Sequence, residues 1–298
     1  METILSTHEL TKEYSHTKVV DGVSLTVQKG DIYGFVGKNG AGKTTFIRMI
    51  LGLARPDGGT FSMFGGEDKN TARRKTGSLI ESPALYRNMN ARENLNMYCT
   101  MLGLDKKQID EILTTVGLEN TGRKKAKDFS LGMKQRLGIG MALVGDPEFL
   151  MLDEPINGLD PKGIVEIREL LLKLREAGKT IFISSHYLGE LEKIATRYGI
   201  ISNGKLVEEL TSKELVQRCG KRTAIKTEDP EKAAEILKKF LHTDHIAVGE
   251  GKMIYIQDEV EDIGAVTNQL FQAGIAVKGI SDDENSAEDY FIRKMEEG

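Results

Sequence analysis

The feature that most constrains this chain is a glycine-rich segment, GKNGAGKTT, at residues 37–45. From Gly37 to Thr44 it matches the pattern G-x-x-x-x-G-K-S/T, in which backbone N–H groups surround a phosphate and the lysine reaches the β- and γ-phosphates. The threonine hydroxyl of this pattern binds Mg²⁺. An apolar run at 32–36 precedes the segment and a helical apolar face follows it. We therefore predict a strand, a phosphate loop (residues 37–45) and a helix N-terminus that together bind a nucleotide triphosphate.

Length and charge limit the number of domains and the class of protein. Its 298 residues favour about two domains. Residues 221–298 hold 10 Lys+Arg against 17 Asp+Glu, a net charge of −7, which leaves +3 for residues 1–220 of the total of −4. This balance, without a long basic stripe, argues against a nucleic-acid-binding protein. Two cysteines without metal-ligand spacing favour a reducing compartment, and no apolar window approaches the roughly 18 residues of a membrane span. No apolar signal core opens the sequence, so we expect a chain that is neither exported nor membrane-spanning.

Strand and helix signals alternate along the first two thirds of the chain. Two alternating segments before the phosphate loop predict antiparallel strands. Further on, the apolar patterns predict strands at 61–65, 77–80, 149–152 and 180–185, and helices at 91–103, 106–116 and 161–177. Residues 187–195 predict one more helix, and a hairpin follows around Asn203-Gly204. This alternation predicts an α/β fold with a largely parallel sheet and helices on both faces.

Beyond residue 211 the pattern changes. After a connecting helix the order is strand, helix, two strands, helix, strand and a last helix, predicted at 222–227, 230–241, 245–249, 252–257, 261–273, 275–281 and 286–296. The order βαββαβ predicts a small ferredoxin-like α+β domain. We therefore divide the chain into domains at 1–215 and 220–298. The carboxylates of the second domain are scattered, which favours a solvated surface over a metal site.

A second motif, FLMLDEP at 149–155, places Asp153 and Glu154 at the carboxyl end of a buried strand, where ligands bind in such sheets. Asp153 suits Mg²⁺, and Glu154 suits the activation of a hydrolytic water. Alone, Asp-Glu-Pro would predict only a turn or a helix start, but the phosphate loop upstream reverses that preference. From the residues alone, His186 at the end of 180–185 is as compatible with a packed strand-end histidine as with a ligand.

Three further segments complete a recognisable set: FSLGMKQR at 129–136 (the signature loop), INGLDP at 156–161 and ISSHYLGELE at 183–192. With the two motifs above, they make residues 1 to about 215 resemble the ATP-binding subunit of an ABC transporter. The resemblance implies an ABC-type ATPase domain with a mixed-sheet core, an antiparallel β subdomain and a helical subdomain. It also implies ATP and Mg²⁺ as cofactors. In such proteins two subunits form a head-to-tail dimer, and each ATP lies between the phosphate loop of one and the signature loop of the other.

The resemblance assigns roles residue by residue. Lys43, Glu154 and His186 would be catalytic, with His186 bound to the γ-phosphate or to the attacking water. Thr44, Asp153 and Glu81 would hold Mg²⁺. Tyr14 would stack on adenine. The remaining nucleotide contacts would come from the phosphate loop and from the segments that open two helices: Gly37, Lys38, Asn39, Gly40, Ala41, Gly42, Lys43, Thr44, Thr45, Ser130, Gly132 and Asp160.

The chain also departs from the usual pattern of this family. Glu81, in GSLIESPALY at 77–86, stands where the family usually has glutamine, and its charge adds to that of the triphosphate. Leu131 and Met133-Lys134 alter the signature loop, and Lys38 stands where proline is usual. Glu81, NMNARENL at 88–95 and the tail SAEDYFIRKMEEG at 286–298 resemble the bacitracin-resistance and lantibiotic-immunity exporters of Gram-positive bacteria.

We therefore predict an ATPase on the cytoplasmic face of the cell membrane that drives a separate transmembrane permease and exports an antimicrobial peptide or drug. Two alternatives remain. One is an ABC-type ATPase that acts on nucleic acid or ribosomes, although such proteins usually carry a coiled-coil insertion or a second cassette. The other is a sensor or immunity subunit in which ATP-dependent docking matters more than turnover, as Glu81 and the altered signature loop permit.

Overall fold

The computed structural model describes residues 2–219, 221–256, 260, 262–284 and 286–297. Its contacts divide the chain into two compact units. The larger unit contains the residues up to Ser212 together with those from Phe291 onward, and the smaller unit is Lys213–Tyr290. The division expected from the sequence differs at the C-terminus, where it placed every residue after 220 in the second domain. The last residues instead pack on the larger unit, in which the Phe291 ring contacts that of Tyr198 at a centroid distance of 5.3 Å.

The strands of the larger unit are β1 Thr3–Tyr14, β2 Thr17–Val23, β3 Thr26–Gln28, β4 Ile32–Val36, β5 Gly58–Met63, β6 Thr76–Leu79, β7 Phe149–Asp153, β8 Thr180–Ser185, β9 Arg197–Ser202 and β10 Lys205–Thr211. Its α-helices are α1 Lys43–Ile50, α2 Lys69–Arg74, α3 Ala91–Leu102, α4 Ile109–Thr115, α5 Leu131–Ala142, α6 Pro161–Glu176 and α7 Leu188–Glu192.

A six-stranded sheet in the order β10-β9-β4-β8-β7-β6 forms the centre of this unit. Neighbouring strands are parallel except β10, which is antiparallel to β9. Every residue of β4, β7 and β8 is buried, as expected for apolar strands covered on both faces. The mixed-sheet core predicted from the sequence is confirmed. Its register sets Val36 beside Ser185 and Asp153 beside Ser184, so the carboxyl ends of the three strands meet at one edge.

An antiparallel sheet flanks this core, with β2 and β3 on either side of β1 and β5 also paired to β1. Aromatic rings fix α1 on the central sheet: Phe46 of α1 contacts Phe35 of β4 and Phe182 of β8 at centroid distances of 5.0 and 5.7 Å. Because α1 begins directly after the phosphate loop, this packing also fixes the loop against the sheet edge.

Helices α3, α4 and α5 make up the helical part of the larger unit. Asn90 caps α3 in a reciprocal capping box with Glu93, and the helix ends at Gly103 in a left-handed conformation with φ 68°. Both ends follow the local signals in the sequence. The short helix α2, by contrast, is absent from the sequence-based expectation.

The smaller unit contains β11 Lys221–Thr227, α9 Pro230–Leu241, β12 Ile246–Gly249, β13 Met253–Ile256, α10 Ile263–Gln272 and β14 Val277–Glu284, preceded by α8 Ser212–Arg218 and followed by α11 Ala287–Glu297. Its strands form an antiparallel sheet in the order β12-β13-β11-β14, which is the βαββαβ arrangement. Residue 257 of the predicted strand and residue 261 of the predicted helix lie outside the described residues. Among the helices that the structure describes, none has both the length and the hydrophobicity needed to cross a bilayer.

Candidate functional site

The phosphate loop runs from the end of β4 to the start of α1 between two tightly packed neighbours. A Cβ atom on Gly42, whose φ is 104°, would lie 2.4 Å from the carbonyl oxygen of Val19 in β2. A Cβ on Gly37 would lie 2.5 Å from the carbonyl oxygen of Ile201 in β9. Glycine is therefore required at both positions, because a side chain at either one would clash with the neighbouring strand.

Lys43 is 5% exposed and extends into the curve of this loop. Its Nζ donates to the carbonyl oxygens of Gly37 at 2.6 Å and Lys38 at 3.2 Å, and lies 3.1 Å from Glu154 Oε1. The ammonium group is thus surrounded by oxygen acceptors that the oxygens of a phosphate can replace.

Asp153, at the end of β7, is almost completely buried, with 1% of its surface exposed. Its Oδ2 accepts from Thr44 Oγ1 at 2.8 Å and its Oδ1 accepts from Ser184 Oγ at 2.5 Å. A carboxylate beside a threonine hydroxyl is a hard-oxygen pair that fits Mg²⁺. Thr44 and Asp153 are therefore the residues that would hold the ion, together with oxygens of the nucleotide.

Glu154 follows in a left-handed conformation with φ 49°, a strained backbone for a residue with a side chain. Its N–H donates to the carbonyl oxygen of Ser184 at 3.1 Å and to Ser184 Oγ at 3.0 Å. Glu154 Oε2 lies 2.9 Å from His186 Nδ1, whereas the buried Oε1 accepts no well-directed hydrogen bond from any described residue, despite its ion pair with Lys43. A carboxylate oxygen that is buried and incompletely satisfied can accept a hydrogen bond from a water molecule.

His186 follows β8 directly, and its ring contacts the ring of Tyr187 at a centroid distance of 4.2 Å. The structure thus joins Lys43, Glu154 and His186 in one series of contacts, with Thr44 and Asp153 alongside. These are residues that the sequence placed at one site from three separate motifs.

Ser130, Gly132 and Asp160 form a second group where two helices begin. Ser130 caps α5 by accepting from the N–H of Met133 at 3.2 Å, and Asp160 caps α6 by accepting from the N–H of Gly163 at 3.0 Å. A Cβ on Gly132 would lie 3.9 Å from the Cα of Gly163, so the two helix starts are close together. Within the described part of the chain, no hydrogen bond or ion pair joins this group to the phosphate loop.

Three residues that the resemblance assigns to the nucleotide or the metal have other contacts in the structure. Tyr14 lies at the exposed end of β1, where Lys12 Nζ is 5.1 Å from the centroid of its ring. Lys38 Nζ lies 3.8 Å from Glu296 Oε1, and both side chains are largely exposed. Glu81, predicted to bind metal, instead accepts from Arg48 Nη2 at 2.6 Å. The metal-binding role of Glu81 stays a prediction.

Sequence reasoning missed two residues that the structure places at or near the site. Ser184 contacts both Asp153 and Glu154, and its signal was a hydroxyl near the carboxyl end of a buried strand. Arg48 binds Glu81, but no local pattern links two residues on different elements.

Two ionisable side chains, Glu209 and Tyr33, lie toward the amino end of β4, away from the phosphate loop. Burial raises the pKa of Glu209 on β10 above its usual value, although the N–H of Thr26 donates to this carboxylate at 3.3 Å. Burial likewise raises the pKa of the Tyr33 phenol well above its usual range. The raised pKa values of these two groups therefore affect the stability of the fold and not the chemistry at the phosphate loop.

A protein-family model described as ABC transporter matches residues 20–157 of this chain. The bacitracin transport ATP-binding protein BcrA of Enterococcus faecalis is 45% identical over 298 residues, which cover 98% of this chain and 96% of that protein. The chain belongs to the ABC transporter family. It is therefore an ABC ATP-binding subunit, which binds ATP with Mg²⁺ and couples ATP hydrolysis to transport.

Two further similarities agree with this assignment. The lantibiotic transport ATP-binding protein SrtF of Streptococcus pyogenes is 42% identical over 206 residues, covering 69% of this ABC subunit and 90% of that protein. A solved structure of the ATP-binding subunit of an ABC transporter matches with a TM-score of 0.63 and 29% identity, over 72% of this chain and 92% of that one. Subunits of this family work in pairs with a separate membrane permease, so the chain has both a second ATP-binding subunit and a permease as partners.

Proposed function

We propose that this ABC subunit is the cytoplasmic, membrane-peripheral ATPase of an exporter for bacitracin or a similar peptide antibiotic. The observation that carries the proposal is the extent of the match to the bacitracin transport protein, which includes the smaller unit as well as the ATPase unit. The match to the lantibiotic transport protein covers only 69% of the chain. Bacitracin is therefore the cargo we propose first, and none of the similar proteins described above favours an action on nucleic acid or ribosomes.

The contacts at the site support a separate role for each of these residues in hydrolysis. Lys43 would exchange its loop carbonyls and Glu154 for phosphate oxygens when ATP binds. Glu154, released from Lys43, would accept the proton of the attacking water, while His186 holds the other carboxylate oxygen. Thr44 and Asp153 would hold Mg²⁺, which when bound neutralises the charge that develops on the phosphates.

The second group of site residues would act on the ATP of the partner subunit. Ser130 and Asp160 are exposed at the starts of α5 and α6, and the N-terminus of α5 favours an anion. Closure of the dimer over ATP would follow from a higher affinity of ATP for the closed state, and hydrolysis would reverse it. Leu131, 45% exposed at the first position of α5, would lie in this interface.

A groove in the larger unit is the surface that we propose for the permease. It has a volume of about 560 Å³, and its lining includes Arg73 and Arg74 of α2, Tyr98, Met101 and Leu102 of α3, and Leu104. Met101 and Leu102 are 66% and 51% exposed. Exposed apolar side chains beside two arginines suit an amphipathic segment of another protein.

Resistance measurements would test the cargo. The chain and its permease would be expressed together in a bacitracin-sensitive host, and we expect the inhibitory concentration of bacitracin to rise several-fold. The Glu154→Gln variant should abolish this protection because export requires turnover. Protection that persists in the variant would favour the sensor or immunity function, and an unchanged inhibitory concentration with the wild-type pair would contradict bacitracin as cargo.

A further inference from the structure

The carboxylate of Glu81 is paired with an arginine of helix α1. It accepts from Arg48 Nη2 at 2.6 Å, in an ion pair whose side chains are 62% and 43% exposed. Arg48 lies in the last turn of α1, the helix that begins at the end of the phosphate loop. The pair thus connects the loop after β6 to the helix that bears Lys43 and Thr44.

Register and helical spacing place this ion pair next to the predicted metal ligands. Leu79 of β6 lies beside Leu152 of β7, so Ile80 is level with Asp153 and Glu81 is one residue beyond it. Arg48 follows Thr44 by one helical turn, so the two residues share a face of α1. Thr44 donates to Asp153, and the Arg48–Glu81 pair therefore flanks the Thr44–Asp153 pair.

Charge explains why such a partner is needed. Asp153 and Glu154 already bring two carboxylates to the site that receives a triphosphate. A glutamate at position 81 adds a third, where a glutamine would be neutral. The Arg48 guanidinium compensates this charge with a charge-assisted hydrogen bond, and the bond also offsets the cost of the left-handed conformation of Glu81, whose φ is 56°.

We propose that Arg48 is a positioning residue for Glu81. It holds the Glu81 carboxylate away from the Thr44–Asp153 pair, and so competes with the metal ion for that carboxylate. This inference rests on the proposed function, because it requires that Mg²⁺ and nucleotide bind beside Thr44. Arg48 then sets how readily the loop after β6 engages the metal. A glutamate is compatible with this position because its counter-charge lies on α1.

The binding of Mn²⁺, used as a paramagnetic probe in place of Mg²⁺, tests the competition without relying on activity. Mn²⁺ would be titrated into the full-length protein with a non-hydrolysable ATP analogue and bound ion measured by electron paramagnetic resonance. We expect Arg48→Gln to tighten Mn²⁺ binding about two- to fivefold, the range of an exposed ion pair. Glu81→Gln should weaken binding, and Arg48→Gln should cause no further change when Glu81→Gln is already present.

Two more variants make the result specific. Arg92→Gln breaks the ion pair with Asp110, which is also exposed but lies in the helical part, and should leave Mn²⁺ affinity unchanged. Arg48→Lys keeps the charge and should give an affinity between wild type and Arg48→Gln. An equal affinity in wild type and Arg48→Gln, or the same shift in both Glu81 backgrounds, would overturn the competition alone. Absence of Mn²⁺–nucleotide binding in the wild-type protein would overturn the proposed function as well.

Discussion

Lys43 Nζ lies 3.1 Å from Glu154 Oε1, so the cation of the phosphate loop and the proposed catalytic base are partners of each other. The two side chains are only 5% and 16% exposed, which strengthens their attraction. ATP must therefore compete with Glu154 for Lys43, and this competition links nucleotide binding to the release of the base.

A Glu154→Gln variant should bind ATP at least as tightly as the wild-type protein, because a neutral amide no longer competes for Lys43. Its hydrolysis should fall about 10²- to 10⁴-fold, the usual contribution of a general base. Equilibrium nucleotide binding and single-turnover hydrolysis would measure the two effects. Glu148→Gln, just before β7 in a partly exposed position, is a matched control that should keep full turnover. Wild-type turnover in Glu154→Gln would show that another group is the base.

Ser184→Ala should weaken the metal site without removing a metal ligand. The substitution leaves Asp153 Oδ1 buried without its donor at 2.5 Å, which should cost about 1–3 kcal/mol of unfolding free energy. It should also raise the Mg²⁺ concentration needed for half-maximal ATPase activity, because Asp153 is less firmly oriented.

Thr180→Val provides the comparison at the opposite end of β8. Thr180 is also buried, and its Oγ1 accepts from the N–H of Gly30 at 3.0 Å, so stability should fall while the Mg²⁺ dependence stays unchanged. If both variants change the Mg²⁺ dependence equally, Ser184 has no specific role at the metal.

A Met101→Asp variant should separate the permease from the ATPase. Met101 is 66% exposed, so the isolated protein should fold and keep its basal ATPase activity. A charge in the groove should prevent an apolar segment from docking, and both membrane attachment and permease-dependent stimulation should be lost. Phe271→Asp, at a 77% exposed position of the smaller unit, is the control. Full membrane attachment of Met101→Asp would exclude the groove as the docking surface.

Glu209→Gln should change how stability depends on pH. Burial raises the pKa of Glu209 in the folded state above its unfolded value, so the folded state binds this proton more tightly. The resulting stabilisation is present at low pH and is lost as pH rises through the folded pKa. Because glutamine cannot ionise, the variant should gain stability relative to wild type over that range and reach a constant difference above it.

Denaturant titrations at several pH values would measure this gain. Glu176→Gln, at an exposed position of α6, serves as the reference substitution. If the difference in unfolding free energy between Glu209→Gln and wild type stays constant with pH, burial does not raise the pKa of this carboxylate.

The parts that sequence predicted best are those with strong local signals. β7 and β8 are apolar runs, and Asp160-Pro161 is a helix start with its own cap and fixed φ, so strand and helix positions follow from a few adjacent residues. The phosphate loop is similar, because the identity of Gly42 reports a backbone conformation that only glycine adopts readily.

Other features have no apolar periodicity that marks them in the sequence. Helix α2 has six mostly polar residues and depends on the side chain of Asp68, which accepts from the N–H groups of Asn70 and Thr71. The partner of Glu81 is set by the packing of α1 on the sheet, which brings Arg48 to the loop after β6. Neither contact has a periodic signal, so only the folded structure reveals them.

Because the end of the last helix packs on the larger unit, the smaller unit is an insertion within the sequence of the larger unit. Ser212, where the chain leaves, donates its N–H to the carbonyl oxygen of Thr196, and Phe291, where it returns, contacts Tyr198 only two residues further along the chain. A short linker in place of residues 213–290 should therefore preserve the ATPase unit. A chain that stops near residue 215 would instead lose the contacts that Phe291 and Met295 make with Tyr198 and Ser202.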